Sequence, residues 1–238
     1  MKKLLYVPVI HMEPDLGSLA TDVSSLSSKV CGEERWNKHR QAVSDFWDSI
    51  TTFLLSLDDT NLKIYQDGLM ADGELGLKII EEGAKQGSKN HKVVLELIRR
   101  GGEIRKTEDA SLLKEEYEHI IKLSQSKSFV QIGLAYLQYK MRKARLTEER
   151  DRFIAERINE TLKNGETALL FLGAYHDIRP LLSKDIMVVE VKEEQRVKAY
   201  FDEFIRGRDG NKFEELAEYL TSPVTLCGKE RSDNSLED

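Results

Sequence analysis

Little in this chain is suited to covalent cross-linking, membrane insertion or polyanion binding. Its 238 residues include 2 cysteines, Cys31 and Cys227. Neither stands in a CxxC pair or a Cys/His cluster of zinc-ligand spacing, which argues against a disulfide framework and a structural zinc. No apolar run approaches the length needed to cross a bilayer, so no membrane partner is expected. The opening MKKLLYVPVIHMEPD has the lysines and apolar stretch of a signal peptide. That stretch is too short, however, and it ends in His11, Glu13 and Asp15 instead of a small-residue cleavage site. We read it as a first strand and the protein as cytoplasmic. An excess of positive charge is also lacking: 36 Lys and Arg against 42 Asp and Glu give a formal net charge of −6. Such a surface repels nucleic acid and anionic lipid over a Debye length, so nucleic acid is not expected as a partner.

What is present is enough to fold. Hydrophobic residues make up 40% of the chain and charged residues 33%, a balance that suits a soluble protein with one sizeable core. Four short runs, 4–10, 62–65, 168–172 and 186–191, have the β-branched and apolar content of strands buried on both faces. Trp36, Val43, Phe46, Trp47, Ile50, Phe53, Leu54 and Leu57 recur at helical spacing. Further helical patterns cover 75–80, 93–98, 112–121, 129–139, 153–162, 197–205 and 213–220. Breakers fall at 87–90, 101–102, 164–165 and 207–210. The expectation is an α/β fold, mostly helical around a central sheet, forming a single domain over residues 1–227. A disordered tail is expected over 228–238.

Two of the strand patterns end in histidine. In Pro8-Val9-Ile10-His11-Met12-Glu13-Pro14-Asp15 a strand runs into an imidazole and two carboxylates. Those groups serve equally as ligands for a divalent metal and as an acid/base pair, and a strand-capping His11 with solvated carboxylates is as good a reading. In Leu170-Phe171-Leu172-Gly173-Ala174-Tyr175-His176-Asp177 the small residues allow close backbone approach, and an extended chain points Tyr175 and His176 to opposite faces. Strand ends of open α/β sheets are where ligands usually bind, which raises the weight of this pair over other histidines. His39, His91 and His119 lie in charged helical stretches and are read as solvated.

A third segment, Leu146-Thr147-Glu148-Glu149-Arg150-Asp151-Arg152, reads as a helix start with Thr147 as N-cap and Arg150 in the first turn. A base there opposes the helix dipole and calls for an anionic partner, either a site carboxylate or the substrate. The plainer reading is a solvated ion-pair network among these charges.

The run ERDRFIAERINETLKNGETALLFLGAYHD, residues 149–177, resembles the closing motif of the TraB/PrgY and TIKI proteins of the EreA/ChaN-like superfamily. There an Arg-Asp or Arg-Asn pair opens a helix, and a strand ends in GxxH, matched here by Gly173-Ala174-Tyr175-His176. At the family's first GxxH, Pro8-Val9-Ile10-His11 keeps the histidine but not the glycine. The resemblance implies an EreA/ChaN-like α/β fold and an acidic residue closing the second strand, Asp67, with a later acidic position at Glu108. It also implies a hydrolase of peptide or ester bonds, in which His11, His176, Asp67 and Glu108 bind a divalent metal such as Mn, Co or Zn. Glu13, Arg150 and His176 would then be the catalytic groups, with Glu13 as base and Arg150 facing developing negative charge. A metal-free hydrolase with a histidine base is a close relative. The alternative is a non-catalytic protein of the TraB/PrgY type, binding a small-molecule or peptide ligand. Oligomeric state is left open.

Overall fold

The computed structural model describes residues 1–12, 14–15, 32–58, 61–112, 114–115, 129–206 and 211–226, with the backbone alone for 129–144. Strand β1 (Lys2–Val9) runs through Leu4, Leu5, Tyr6, Val7 and Val9, all buried, as expected of a strand covered on both faces. It is followed by helix α1 (Glu33–Leu55), strand β2 (Lys63–Gln66), helices α2 (Gly73–Lys85) and α3 (Lys89–Arg99), and strand β3 (Glu103–Arg105). Helix α4 (Phe129–Thr161), strand β4 (Thr167–Gly173), a short 3-10 turn at Arg179–Leu181, strand β5 (Ile186–Glu190) and helices α5 (Glu194–Arg206) and α6 (Asn211–Thr221) complete the order.

The five strands form one parallel sheet in the order β3-β2-β4-β1-β5. Side chains alternate between its faces and so build two cores. Leu5, Val7, Ile64, Leu169 and Phe171 pack with the apolar stripes of α1, α2, α3, α5 and α6. Leu4, Tyr6, Tyr65, Ala168, Leu170 and Leu172 pack with Ile154, Ala155 and Ile158 of α4 and with Leu162 just after it. Burying one such large apolar side chain is worth about 1.5–3 kcal/mol, so both layers hold the sheet from either side.

This topology fixes where a ligand goes. From β1 the chain crosses over β4 to reach β2, and from β4 it crosses over β1 to reach β5. The two adjacent central strands thus send their connections to opposite sides, leaving a crevice at their carboxyl ends. Register places Val9 opposite Gly173 and Phe171 opposite Gln66, so the ends of β1, β2 and β4 are nearly level there.

The expected mixed α/β fold with a central sheet is what is found, with differences in detail. Strand β3 is additional. The helical patterns at 129–139 and 153–162 belong to one continuous helix, α4. Thr147 is therefore no N-cap and Arg150 stands in no first turn, because the stretch Met141 to Leu146 contains neither glycine nor proline to stop the helix. The pattern at 112–121 lies mostly outside the described residues, and the breaker at 207–210 and the tail from 228 lie wholly outside them. Among the described residues no helix is long and apolar enough to cross a membrane.

One hydrogen bond anchors the end of β1: the buried Trp47 indole N–H donates to the Ile10 carbonyl at 3.0 Å. Trp47→Phe keeps most of the packing but orphans that carbonyl, so urea unfolding should show a loss of about 1–3 kcal/mol, and a loss under about 0.5 kcal/mol would show that the bond is no anchor.

Candidate functional site

At the carboxyl ends of β1, β2 and β4 lies a cavity of 1280 Å³. Asp67, Arg150, Asp151 and His176 line its polar side, with Glu108 supporting Arg150 from outside the lining. Asp67 begins the turn after β2: its N–H donates to the Phe171 carbonyl at 2.9 Å, and Gly68 takes a positive φ of 77°. Its Oδ2 accepts the Gly173 N–H at 3.1 Å, which ties the exit of β2 to that of β4. Glu108 follows β3 and is held by backbone: the Thr107 and Glu108 N–H groups both donate to the Leu69 carbonyl, and the Thr107 hydroxyl donates to the Gln66 carbonyl.

From α4, Arg150 reaches both acids. Its Nε donates to the two Glu108 oxygens at 3.0 Å each, and one terminal nitrogen donates to Asp67 Oδ1 at 3.2 Å and also to Glu108. Burial pushes the Glu108 carboxyl above its ordinary value, an effect the Arg150 hydrogen bond and charge only partly offset and the Asp67 charge reinforces. The partner expected of Arg150 is present, though not for the reason of a helix N-terminus.

His176 sits on the turn after β4, where its N–H donates to the Gly173 carbonyl at 3.1 Å. Its Nδ1 lies 2.5 Å from Asp151 Oδ1, and Asp151 Oδ2 accepts the Asp177 N–H at 3.1 Å. Asp151 thus fixes both the ring and the turn that carries it, leaving Nε2 as the ring nitrogen outside this bond. Burial disfavours the charged imidazole. The Asp151 hydrogen bond and the Asp67 charge outweigh burial and Arg150, so the ring is held above its ordinary value. Tyr175, half exposed, also lines the cavity and donates from its hydroxyl to Asp202 at 3.0 Å.

His11 also lines the cavity, but from the other side, where its charge acts on His91. Among the described residues it has no hydrogen bond or ion pair to His176, Asp67 or Glu108. No group of three or more His, Cys, Asp or Glu side chains among them is placed to hold a metal ion. Asp67 and Glu108 are engaged by a guanidinium, whose charge opposes a divalent cation beside it. The set His11, His176, Asp67 and Glu108 is therefore not arranged as a metal-ligand shell, and Glu13 lies outside the described residues.

Two histidines read as solvated are not. His39 is buried, with Nδ1 at 3.0 Å from the Tyr200 hydroxyl and its ring stacked 3.9 Å from that of Phe204. Burial lowers it to about 4. His91 is mostly buried, its Nδ1 at 2.8 Å from Ser88 Oγ, and burial lowers it against the pull of Asp15. Both line the cavity. Their charged sequence neighbours lie on other faces of the helices; His39 falls in the buried stripe of Trp36, Val43 and Phe46. His119 lies outside the described residues. Reasoning from sequence placed Asp151 in a surface ion-pair network and in the Arg-Asp pair of the motif but gave it no place in the site, whereas it is buried and bonded to His176. Its signal was periodicity, since Asp151, Ile154, Ala155 and Ile158 share the buried face of α4.

Two titrations check these assignments. His176 should titrate above 6.5 by NMR, and Asp151→Asn should bring it down; an unchanged value would remove Asp151 as its partner. His39 works in the opposite sense. Its folded-state value lies below that of the unfolded chain, so its contribution is present above pH 6.5 and is lost as pH falls through about 4. The loss is on the order of 3 kcal/mol. Urea unfolding of His39→Phe should show a weaker fall in stability across that window than the wild type.

No protein-family model, curated protein or solved structure matches the chain.

Proposed function

We propose that this protein is a hydrolase of ester or peptide bonds in which His176 is the general base. The observation that carries this reading is the 2.5 Å contact between His176 Nδ1 and the buried carboxylate of Asp151, on the wall of a large cavity at the switch point of the sheet. A carboxylate on one ring nitrogen fixes the tautomer and stabilises the imidazolium that forms when the other nitrogen takes a proton. Nε2 would accept a proton from water as the oxygen adds to the substrate carbonyl, then return it to the leaving alcohol or amine. Arg150 serves as a positioning residue through Asp67 and Glu108, and Asp67 adds to the field that favours protonated His176. The resemblance of residues 149–177 to the TraB/PrgY and TIKI motif supports this reading, because Arg150, Asp151 and His176 all fall in that run.

A metal-dependent version, with Mn, Co or Zn on His11, His176, Asp67 and Glu108, would require Arg150 to release its carboxylates. A binding protein for a small molecule or peptide would use the same cavity without turnover.

Hydrolysis of p-nitrophenyl esters and fluorogenic peptides, with and without chelator, separates the three. The reading expects activity that survives chelation and falls about 100-fold or more in His176→Gln. Activity should fall as pH drops through the raised His176 value, because the base must be neutral, and Asp151→Asn should move that limb to lower pH. Full activity in His176→Gln would overturn it. Loss on chelation with recovery on Mn, Co or Zn would select the metal-dependent version.

A further inference from the structure

The residue before His176 is an exposed aromatic ring that is nevertheless fixed. Tyr175 is 52% exposed, and three residues of α5 hold it. Its hydroxyl donates to Asp202 at 3.0 Å, the Lys198 ammonium lies 4.9 Å from the centre of its ring, and Phe201 meets it edge to face at 6.3 Å. Binding through a loop side chain ordinarily costs the entropy of ordering it, and a ring already ordered avoids most of that cost. The hydroxyl ties the loop to α5; the ring it fixes lines the cavity.

From Tyr175 the rings continue without a gap. Phe201 lies 6.2 Å from Phe204, and Phe204 lies 6.0 Å from Trp36, and all four line the cavity. Tyr175 and the partly exposed Phe201 offer ring surface to a ligand, while Phe204 and Trp36 are largely buried behind them. The His39 ring stacked on Phe204 adds no charge near neutral pH, because burial lowers it to about 4. Leu181, 42% exposed, also lines the cavity on the 3-10 turn that follows His176. The imidazole is therefore flanked along its loop by accessible apolar side chains. Aromatic faces and edges attract a further ring placed edge to face or offset, by about 0.5–1.5 kcal/mol beyond the area buried. Small-molecule sites run to roughly 300–1,000 Å³, so a cavity of 1280 Å³ has room for a ring beside the reacting group.

We infer that this cavity binds an uncharged aromatic group against Tyr175 and Phe201, so that the substrates are esters or amides of arylacetic and similar aromatic acids. This deepens the hydrolase reading by naming a substrate class. It rests on that reading only for turnover.

The test reads binding alone. Calorimetric titration of the full chain with acetamide, cyclohexylacetamide and phenylacetamide compares three neutral amides, of which the last two carry six-carbon rings and differ in aromaticity. Phenylacetamide should bind about tenfold or more tightly than acetamide and about two- to tenfold more tightly than cyclohexylacetamide. Tyr175→Leu and Phe201→Leu keep apolar bulk without a ring, and each should reduce the preference for phenyl over cyclohexyl. Tyr175→Phe keeps the ring and should keep the preference. Equal binding of phenylacetamide and cyclohexylacetamide by the wild type overturns the proposal, whether or not the variants fold. An undiminished preference in both folded leucine variants also overturns it. A ring preference without hydrolysis of any phenylacetyl ester would leave this inference standing and remove the hydrolase reading. Hydrolysis that depends on His176 but shows no ring preference in binding would do the reverse.

Discussion

One guanidinium closes the carboxyl edge of the sheet. Arg150 reaches from the helix covering one face to Glu108 behind β3 and Asp67 behind β2, and Asp67 in turn takes the N–H of Gly173 behind β4. Three strand exits are thereby fixed to one another through a single side chain 12% exposed. Burial raises Glu108 above its ordinary value against the pull of Arg150, while the Asp151 hydrogen bond and the Asp67 charge raise His176 against burial. Losing one member of a buried cluster of this kind leaves the others uncompensated, at a cost of about 3–5 kcal/mol. Asp67 thus contributes both to the arrangement of the loops and to the basicity of His176.

The electrostatics divide the cavity. Around Arg150 and His176 each charge has a partner, and the geometry is determined by hydrogen bonds at nearly every atom. On the side of β1, Asp15 Oδ1 lies 4.0 Å from His91 Nδ1, and burial lowers the His91 value against the pull of that carboxylate. The first region joins an imidazole to a carboxylate by a hydrogen bond; the second holds the same two kinds of group 4.0 Å apart.

Much of the fold was legible because the strands betray themselves. Four runs of apolar residues, too short for buried helices and bounded by breakers, became β1, β2, β4 and β5. The strand β3 was not legible: Glu103 and Arg105 flank a single apolar Ile104, and only its pairing with β2 makes it a strand. The helix around Thr147 misled for a different reason, since a good N-cap residue is tolerated inside a helix when strong helix formers precede it. In the site, His176 was legible from the strand that ends beside it, while His39, His91 and Asp151 were masked by charged neighbours. For each of these the helical register carried more information than local composition, because burial follows the face of a helix and not the average of its sequence.

Arg150 and Asp151 are consecutive residues of α4, one holding the loops behind β2 and β3 and the other orienting the imidazole behind β4. A helix advances about 1.5 Å per residue, so a slide of α4 by one residue along the sheet would part both sets of contacts together. Clamp and imidazole are coupled mechanically: α4 is a latch with two teeth, and the orientation of His176 holds only while the latch is seated.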